Sequence, residues 1–401
     1  MIRRILPILL IIALLAIPVS GTTITRTWNQ SDPSPLLSAA MDEDYHVITP
    51  DYNNTEPWRS MGRVVIDGQT MVQVKKHYIK TENITTADGF HWMNFSISDV
   101  PATGFTTDPW HVVNGTEVPW AYIGAYEGST WNVTTGYNTG DFWGVPLTTS
   151  KLSSVAGMKP TSGKNNTLTL PNFRTLAQNR GTGWELQSFA GVSVIERMYL
   201  IEYGTWDSQT AIGPGVTQIT DNGISNMAMP TGLTAGVGAN STNLINATGQ
   251  ITTVHYSTGQ LTYPNSYRGV ENFYGNIWKW VDGINIKADN NPWISNYGFT
   301  SDTFATPYTN TTLKLPAANG YGSNLAYAAG FDWAFLPSAV EGSSTTYLCD
   351  YYYQATWNRA ALFGGYWADG AAAGAFSWNL KHAASLVYRN VGARVAYTPP
   401  I

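Results

Sequence analysis

Tyr347-Leu-Cys-Asp-Tyr-Tyr-Tyr-Gln-Ala-Thr-Trp-Asn-Arg-Ala-Ala-Leu-Phe-Gly-Gly-Tyr-Trp-Ala-Asp-Gly-Ala-Ala-Ala-Gly-Ala-Phe-Ser-Trp378, with Gly392-Ala-Arg-Val-Ala-Tyr397 after it, is the stretch that decides how this chain reads. Aromatic and small residues alternate there around glycines. In a strand, every second side chain points to one face. If Leu362, Phe363 and the glycines form the scaffold side, the other side offers Tyr, Trp, Asp and His to solvent. Rigid aromatics among small polar residues make a binding surface, as in antibody paratopes. The plainer reading is that these aromatics are core, since Trp and Tyr are often largely buried.

Composition narrows the class. Only 12% of the 401 residues are charged, whereas 13% are aromatic and 38 are Gly. That balance suits a loop-rich extracellular protein and does not suit a helical bundle, which needs more Ala, Glu, Lys and Leu. The net charge of −5 comes without any Lys/Arg cluster, so no nucleic-acid partner is expected.

Arg3 and Arg4 precede an apolar run from Ile5 to Val19, and small residues follow at Val19-Ser20-Gly21. This is the order of a secretory signal. A retained anchor is the alternative, although the run is short for a membrane span of about 20 residues. Residues 1–21 are therefore read as signal peptide or anchor, and a secreted or cell-surface location is expected. Membrane or envelope association through the N-terminus stays open. Cys349 is the sole cysteine, so no intrachain disulfide can form; it reads as a small buried residue. Ten sequons, at Asn29, Asn53, Asn83, Asn94, Asn114, Asn132, Asn165, Asn240, Asn246 and Asn310, are glycosylation candidates and only a modest excess over chance. If glycosylated, they point to an archaeal, viral or eukaryotic surface.

Residues 22–58 are polar and read as an exposed tail or linker. Residues 59–150 form a strand-rich part, with a hairpin turn at Asp67-Gly68. Residues 151–401 carry the remainder, with the last segment of interest at about 347–397. Gly128 to Lys164 reads as loops. Glu185 to Tyr203 reads as a helix, with Val194, Met198 and Ile201 in one stripe and Gly204 as its stop. Ile212 to Gly249 reads as a long loop, and Asp282-Gly283 as a turn.

Several segments together resemble one family. Gly275-Asn-Ile-Trp-Lys-Trp-Val-Asp-Gly283 resembles the glycine-asparagine-x-tryptophan-glutamate-tryptophan segment of the C-type-lectin-like fold. That segment occurs in formylglycine-generating enzymes and in the variable proteins of diversity-generating retroelements. Phe363-Gly-Gly-Tyr-Trp367 and Gly392-Ala-Arg-Val-Ala-Tyr397 resemble the paired C-terminal motifs of both groups. Met71-Val-Gln-Val through Tyr122-Ile-Gly-Ala-Tyr-Glu127 resembles the retroelement group in particular. So does Gly183-Trp-Glu-Leu through Glu202-Tyr-Gly-Thr-Trp-Asp-Ser-Gln-Thr-Ala-Ile-Gly-Pro-Gly215. The resemblance spans about residues 60 to 397. It implies an α+β protein with mixed short antiparallel strands, few helices and long loops.

Scaffold roles follow from the residues themselves. Trp278 and Trp280 are spaced for one strand face and fill the core, and Arg394 satisfies buried carbonyls or a carboxylate such as Glu271 or Asp282. The resemblance implies that reverse transcription rewrites codons for outward-facing residues. Carried over by position, the ligand-binding candidates are Tyr351, Tyr353, Ala355, Trp357, Tyr366, Ala368, Asp369, Ala372, Ser377, Trp378 and His382. Adenine-directed rewriting of Asn codons cannot yield Trp, so Trp357 and Trp378 are constant or outside the rewritten set. The implied partner is an unknown protein or surface ligand, and oligomers occur among the relatives.

No catalytic residue, cofactor or metal is expected. Copper chemistry of the formylglycine-generating branch needs two thiols. The calcium-binding triplets of sugar-binding lectins are absent. The six His show no metal spacing, and Gly157 to Lys164 misses the P-loop by one residue. Glu185, Glu196 and Glu202, placed on one helix, leave only a minor reading as a glycan-active enzyme. The main alternative to ligand recognition is a constant envelope or virion surface protein of the same fold.

Overall fold

The computed structural model describes residues 21–139, 146–163, 168–237, 248–300 and 302–400. The signal or anchor segment and the sequons Asn165, Asn240 and Asn246 lie outside the described residues. The chain is mostly strands, with three α-helices among the described residues. The strands that position the site are β1 (Thr23–Asn29), β2 (Gly62–Ile66), β3 (Gln69–Lys75), β4 (Tyr78–Thr85), β5 (His91–Ser98) and β6 (Trp120–Gly124). Then come α1 (Leu170–Gln178), β7 (Trp184–Leu186), α2 (Phe189–Tyr203), α3 (Ser208–Ile212) and β8 (Trp278–Ile286). The C-terminal part adds β9 (Gly320–Tyr321), β10 (Tyr351–Gln354), β11 (Arg359–Phe363), β12 (Trp378–His382), β13 (Val391–Ala393) and β14 (Val395–Tyr397).

The two ends of the expected N-terminal tail pack into the core, while most of residues 31–55 between them stays exposed or half-buried. β1 pairs along its whole length with β5, which pairs on its other edge with β4. Trp28 is 0% exposed and meets Trp206 edge-on at 4.9 Å. Trp58 is buried as well and donates to the Met198 carbonyl at 3.2 Å. Arg26 donates to the Ser38 carbonyl at 2.7 Å, to that of Glu202 at 3.2 Å and to that of Ile201. The last two are carbonyls at the end of α2, which a helix cannot satisfy by itself. Polar Thr23, Thr25 and Thr27 on the alternate face hid this strand among loop-like residues.

The Asp67-Gly68 turn is present between β2 and β3, with φ of 47° and 70°. Both residues are left-handed, as a two-residue hairpin loop requires. The helix begins later than the sequence indicated. Ser188 accepts from the Gly191 amide at 3.1 Å as N-cap, and Trp184–Leu186 is a strand paired with β14. Gly204 ends α2 at φ 64°, as expected. Every residue from Phe189 to Ile201 is buried, so α2 runs through the interior rather than along one face of it.

A five-stranded sheet runs β7-β14-β6-β3-β2. It seats the C-terminal strand between the N-terminal half and β7. An eight-stranded sheet contains the path β8-β11-β12-β10-β9, with β13 also paired to β8. Its β8 is buried throughout, and Trp278 and Trp280 share a core cluster with Leu362. Asp282-Gly283 is not a turn. Gly283, at φ 82°, sits in a register shift between Val281 and Asn285, and a Cβ there would lie 2.5 Å from the Ser295 carbonyl. Such a bulge uses the same Asp-Gly chemistry that a turn would use. Asp282 is buried and accepts from Arg174 Nε at 2.9 Å.

Two expected loop regions also carry structure. Ser129–Asn132 is the middle strand of a small sheet within the 128–164 segment. In the 212–249 segment, Val216, Ile219, Met227 and Met229 pack with Ile277 and Trp367 as a separate small core.

The interior holds charges. Lys279 and Glu127 are both fully buried, with Nζ 3.3 Å from Oε1. Lys279 also donates to the carbonyls of Gly275 at 2.9 Å and Ile277 at 3.1 Å. Glu127 Oε2 accepts from Asn272 at 3.1 Å and from Asn276. Arg394 meets the carbonyls of Gly124, Glu271 and Asn272 at 2.8, 2.6 and 3.0 Å. It satisfies carbonyls, as its position near a strand end indicated. Lys279→Met alone strands the Glu127 charge in the interior. It is predicted to lower unfolding free energy by about 3–5 kcal/mol, and Lys279→Met with Glu127→Gln to recover part of that loss, both read from urea unfolding.

Candidate ligand-binding face

Strand β10 builds the centre of the site. It runs parallel to β12, with Tyr352 opposite Trp378 and Tyr353 opposite Asn379, and antiparallel to β9, with Tyr351 opposite Tyr321. Alternation then sorts its tyrosines. Tyr352 enters the main core, while Tyr351 and Tyr353 lie half-buried on the other face. Their rings are 4.5 Å apart. Tyr321 stands edge-on to Tyr351 at 5.0 Å, and Tyr353 edge-on to Trp278 at 6.0 Å.

The loop after β11 supplies the rest. Gly364 and Gly365 turn the chain with φ of 91° and 85°, and a Cβ on Gly365 would lie 2.4 Å from that of Ala373. Tyr366, Ala368, Asp369 and Ala372 follow, all partly exposed. The loop is clamped from below. Gln209 donates to the carbonyls of Gly370 and Ala373 at 2.9 and 2.8 Å, the Gly370 amide donates to Thr217 at 2.8 Å, and Trp367 is fully buried. Asp369 accepts the Tyr366 amide at 3.0 Å. Desolvation pushes its carboxyl up to about 7. Desolvation and then the Asp369 charge push the phenols of Tyr353 and Tyr366 up, Tyr366 to about 12.

Tyr351, Tyr353, Tyr366 and Asp369 therefore come together. Trp357 is 54% exposed at the turn from β10 to β11 and makes no ring contact with them among the described residues. Ala355 is nearly closed off, because β10 ends at Gln354 and the Ala355 carbonyl receives the Arg359 guanidinium. His382 ends β12, half-buried, and desolvation followed by Lys381 lowers its imidazole to about 4.

Ser377 and Trp378 do not belong to the face, since both are 0% exposed. Ser377 Oγ donates to the carbonyls of Tyr351 and Ala372 at 3.1 and 2.9 Å. Trp378 Nε1 donates to the Phe335 carbonyl at 3.0 Å, and its ring meets Phe363 at 5.0 Å and Phe189 at 5.3 Å. Both were expected on the outer face, but these adjacent residues are enclosed on every side, Ser377 by backbone carbonyls and Trp378 by aromatic rings.

Three neighbours of these residues carry no signal in the sequence. Tyr321 arrives through the pairing of β9 with β10, which no local pattern announces. Tyr388 is half exposed beside Arg389, whose guanidinium is 5.7 Å from the Tyr388 and Trp367 rings. Arg389 in turn donates to Asp221 at 2.6 Å.

Other sequence candidates also find their places. Asn83, Asn114 and Asn310 are exposed, and Asn29 and Asn53 are partly so. Asn94 and Asn132 are buried, each accepting a hydrogen bond at Oδ1. Cys349 is buried, and desolvation raises its thiol. Glu185 lies on β7 rather than the helix. Glu196 is fully buried, and Glu202 binds Arg268 Nε at 2.8 Å, so no open pair of carboxylates forms. His77 and His111 meet at 5.4 Å, yet among the described residues no three His, Cys, Asp or Glu are placed to hold a metal ion. No helix among them is long and apolar enough to cross a membrane.

No protein family matches this chain, and no curated protein matches it. Two solved structures, the Major Tropism Determinant P3c Variant and the Major Tropism Determinant U1 Variant, are similar to it at 13% identity and a TM-score of 0.29 each. Each match covers 94% of this chain and 72% of the other. At that TM-score the likeness does not define a shared fold.

The Asp369 carboxyl carries a pH signature. Its folded value near 7 lies above the ordinary 3.8. Between those values the folded protein keeps a proton that the unfolded chain has released, so stability falls as pH rises through that window. Asp369→Asn is predicted to flatten that decline, measured as urea midpoints of both proteins across the same window.

Proposed function

We propose that this chain is an extracellular ligand-recognition protein, secreted or held at a cell surface, whose C-terminal half has a C-type-lectin-like scaffold. Its binding face is the cluster of Tyr351, Tyr353, Tyr366 and Asp369, extended by Tyr321, Ala368 and Ala372. The observation that carries this reading is the contrast within β10. Tyr352 fills the core, while its two neighbours lie side by side on the outer face, above backbone that is hydrogen-bonded on both edges. Tyrosine gives large contact area at low entropic cost, because only two side-chain torsions must be fixed.

Truncating these tyrosines should remove binding and spare the fold. Peptides selected from a random display library on the full chain are the probe. Tyr351→Ala, Tyr353→Ala or Tyr366→Ala is predicted to weaken the selected peptides by about 1–4 kcal/mol, with Val65→Ala on β2 as a neutral control. Peptides indifferent to all three changes would remove the assignment of the face.

The reading includes diversification of the exposed positions by a retroelement. A near-copy of the codons for about residues 347–397, beside a reverse-transcriptase gene and differing mainly at adenines, is the expected genomic neighbour. A locus without one moves the function to a constant adhesin or envelope component.

A further inference from the structure

The face contains a carboxylate without a counter-ion. The Asp369 carboxylate makes no ion pair among the described residues, and its one side-chain hydrogen bond there is accepted from the Tyr366 amide. Three buried or part-buried cations of this half are engaged elsewhere. Arg389 is held by Asp221, Lys279 by Glu127, and Arg359 by the carbonyls of Ala355 and Lys287. The groups beside Asp369 are phenols, Tyr353 and Tyr366, with Tyr351 and Tyr321 continuing the row.

We infer that this face selects a ligand presenting a cation, an alkylammonium or guanidinium group such as a Lys or Arg side chain, seated between Tyr353, Tyr366 and Asp369. The inference rests on the assignment of the face made above and names the chemistry of its occupant. Two physical terms favour it. A cation over the face of a tyrosine is attracted by the ring quadrupole, and more so when water is displaced. It also supplies the partner that Asp369 lacks, and a charge-assisted hydrogen bond is stronger than a neutral one. The penalty works in the same direction. An apolar or anionic group laid over the loop strips water from Asp369 and returns nothing for it, and a neutral donor returns less than a charged one. Selectivity then comes as much from rejecting other ligands as from holding the right one. The neighbouring guanidinium of Arg389 does not invite an anion, because Asp221 neutralises it at 2.6 Å.

The full chain is titrated, at a pH above the Asp369 carboxyl value of about 7, with Nα-acetyl-arginine methylamide and with its neutral isostere, Nα-acetyl-citrulline methylamide, by saturation-transfer NMR. Binding of the guanidinium probe is expected on the order of millimolar for so small a ligand, with the citrulline probe about tenfold weaker or more. Asp369→Asn keeps the shape of the side chain and is expected to reduce the preference severalfold, leaving only the part due to the tyrosine rings. Tyr353→Ala is expected to weaken both probes. Equal binding of the two probes, absence of binding by either, or a preference undiminished in Asp369→Asn overturns the cation site. The two readings fail separately. Selected peptides that depend on Tyr351 and Tyr353 but show no enrichment in Lys or Arg leave the face standing and overturn its cation selectivity. Peptides that ignore the tyrosines overturn the face itself.

Discussion

The buried pair of Lys279 and Glu127 is the contact on which the C-terminal half depends. Taking two charges out of water costs several kcal/mol per ion, and the attraction offsets this only when the remaining hydrogen-bonding capacity is also met. Here it largely is. Lys279 has Glu127 and two carbonyls, and Glu127 Oε2 has the amides of Asn272 and Asn276. Asn276 extends the network outward, accepting from the Met229 amide at 2.7 Å. A chain with one cysteine has no disulfide to hold these segments. Directional interior contacts take that place, joining the residues just after β6, the loop before β8 and the 212–249 segment at one point.

That point adjoins the turn from which the candidate face emerges. Lys279 pairs with Phe363 across β8 and β11, and the Gly275 amide donates to the Gly364 carbonyl at 2.8 Å. The polar core therefore fixes where the Gly364-Gly365 turn begins, and so where Tyr366 and Asp369 emerge. Gln209 and Thr217 hold the other end of the same loop. A face supported through its backbone can change its side chains without moving its frame, which is what preorganised recognition requires.

Features written in local chemistry were legible in the sequence. Asp67-Gly68 specifies a left-handed pair, Trp278 and Trp280 fall on one strand face, and Arg394 ends among carbonyls. The period of two also sorts Tyr352 from Tyr351 and Tyr353 across the two faces of β10. Failures came where tertiary pairing overrides a local signal. β1 has few apolar residues, but Ile24 and Trp28 are fully buried against partners far along the chain. Trp184–Leu186 could extend the helix, yet β14 takes it as a strand and Ser188 caps α2 behind it. Asp282-Gly283 has turn composition but lies inside a strand, where the left-handed glycine becomes a bulge. Tyr321 is invisible because β9 is two residues long and its meaning comes from β10.

Ser377 and Trp378 show how packing limits a surface proposed to vary. Trp378 is the residue that codon rewriting cannot create, and it fills the space between Phe189 and Phe363. Ser377 ties β12 to the backbone of Tyr351 and Ala372, so replacing it would disturb the strand that carries the face. Both are constrained by their surroundings on every side. Tyr351, Tyr353, Tyr366 and Asp369 each keep one side open. A position on this scaffold is free to change to the extent that its neighbours are solvent rather than side chains. The face is therefore bounded at Ser377 by packing, whatever the composition of the residues beyond it.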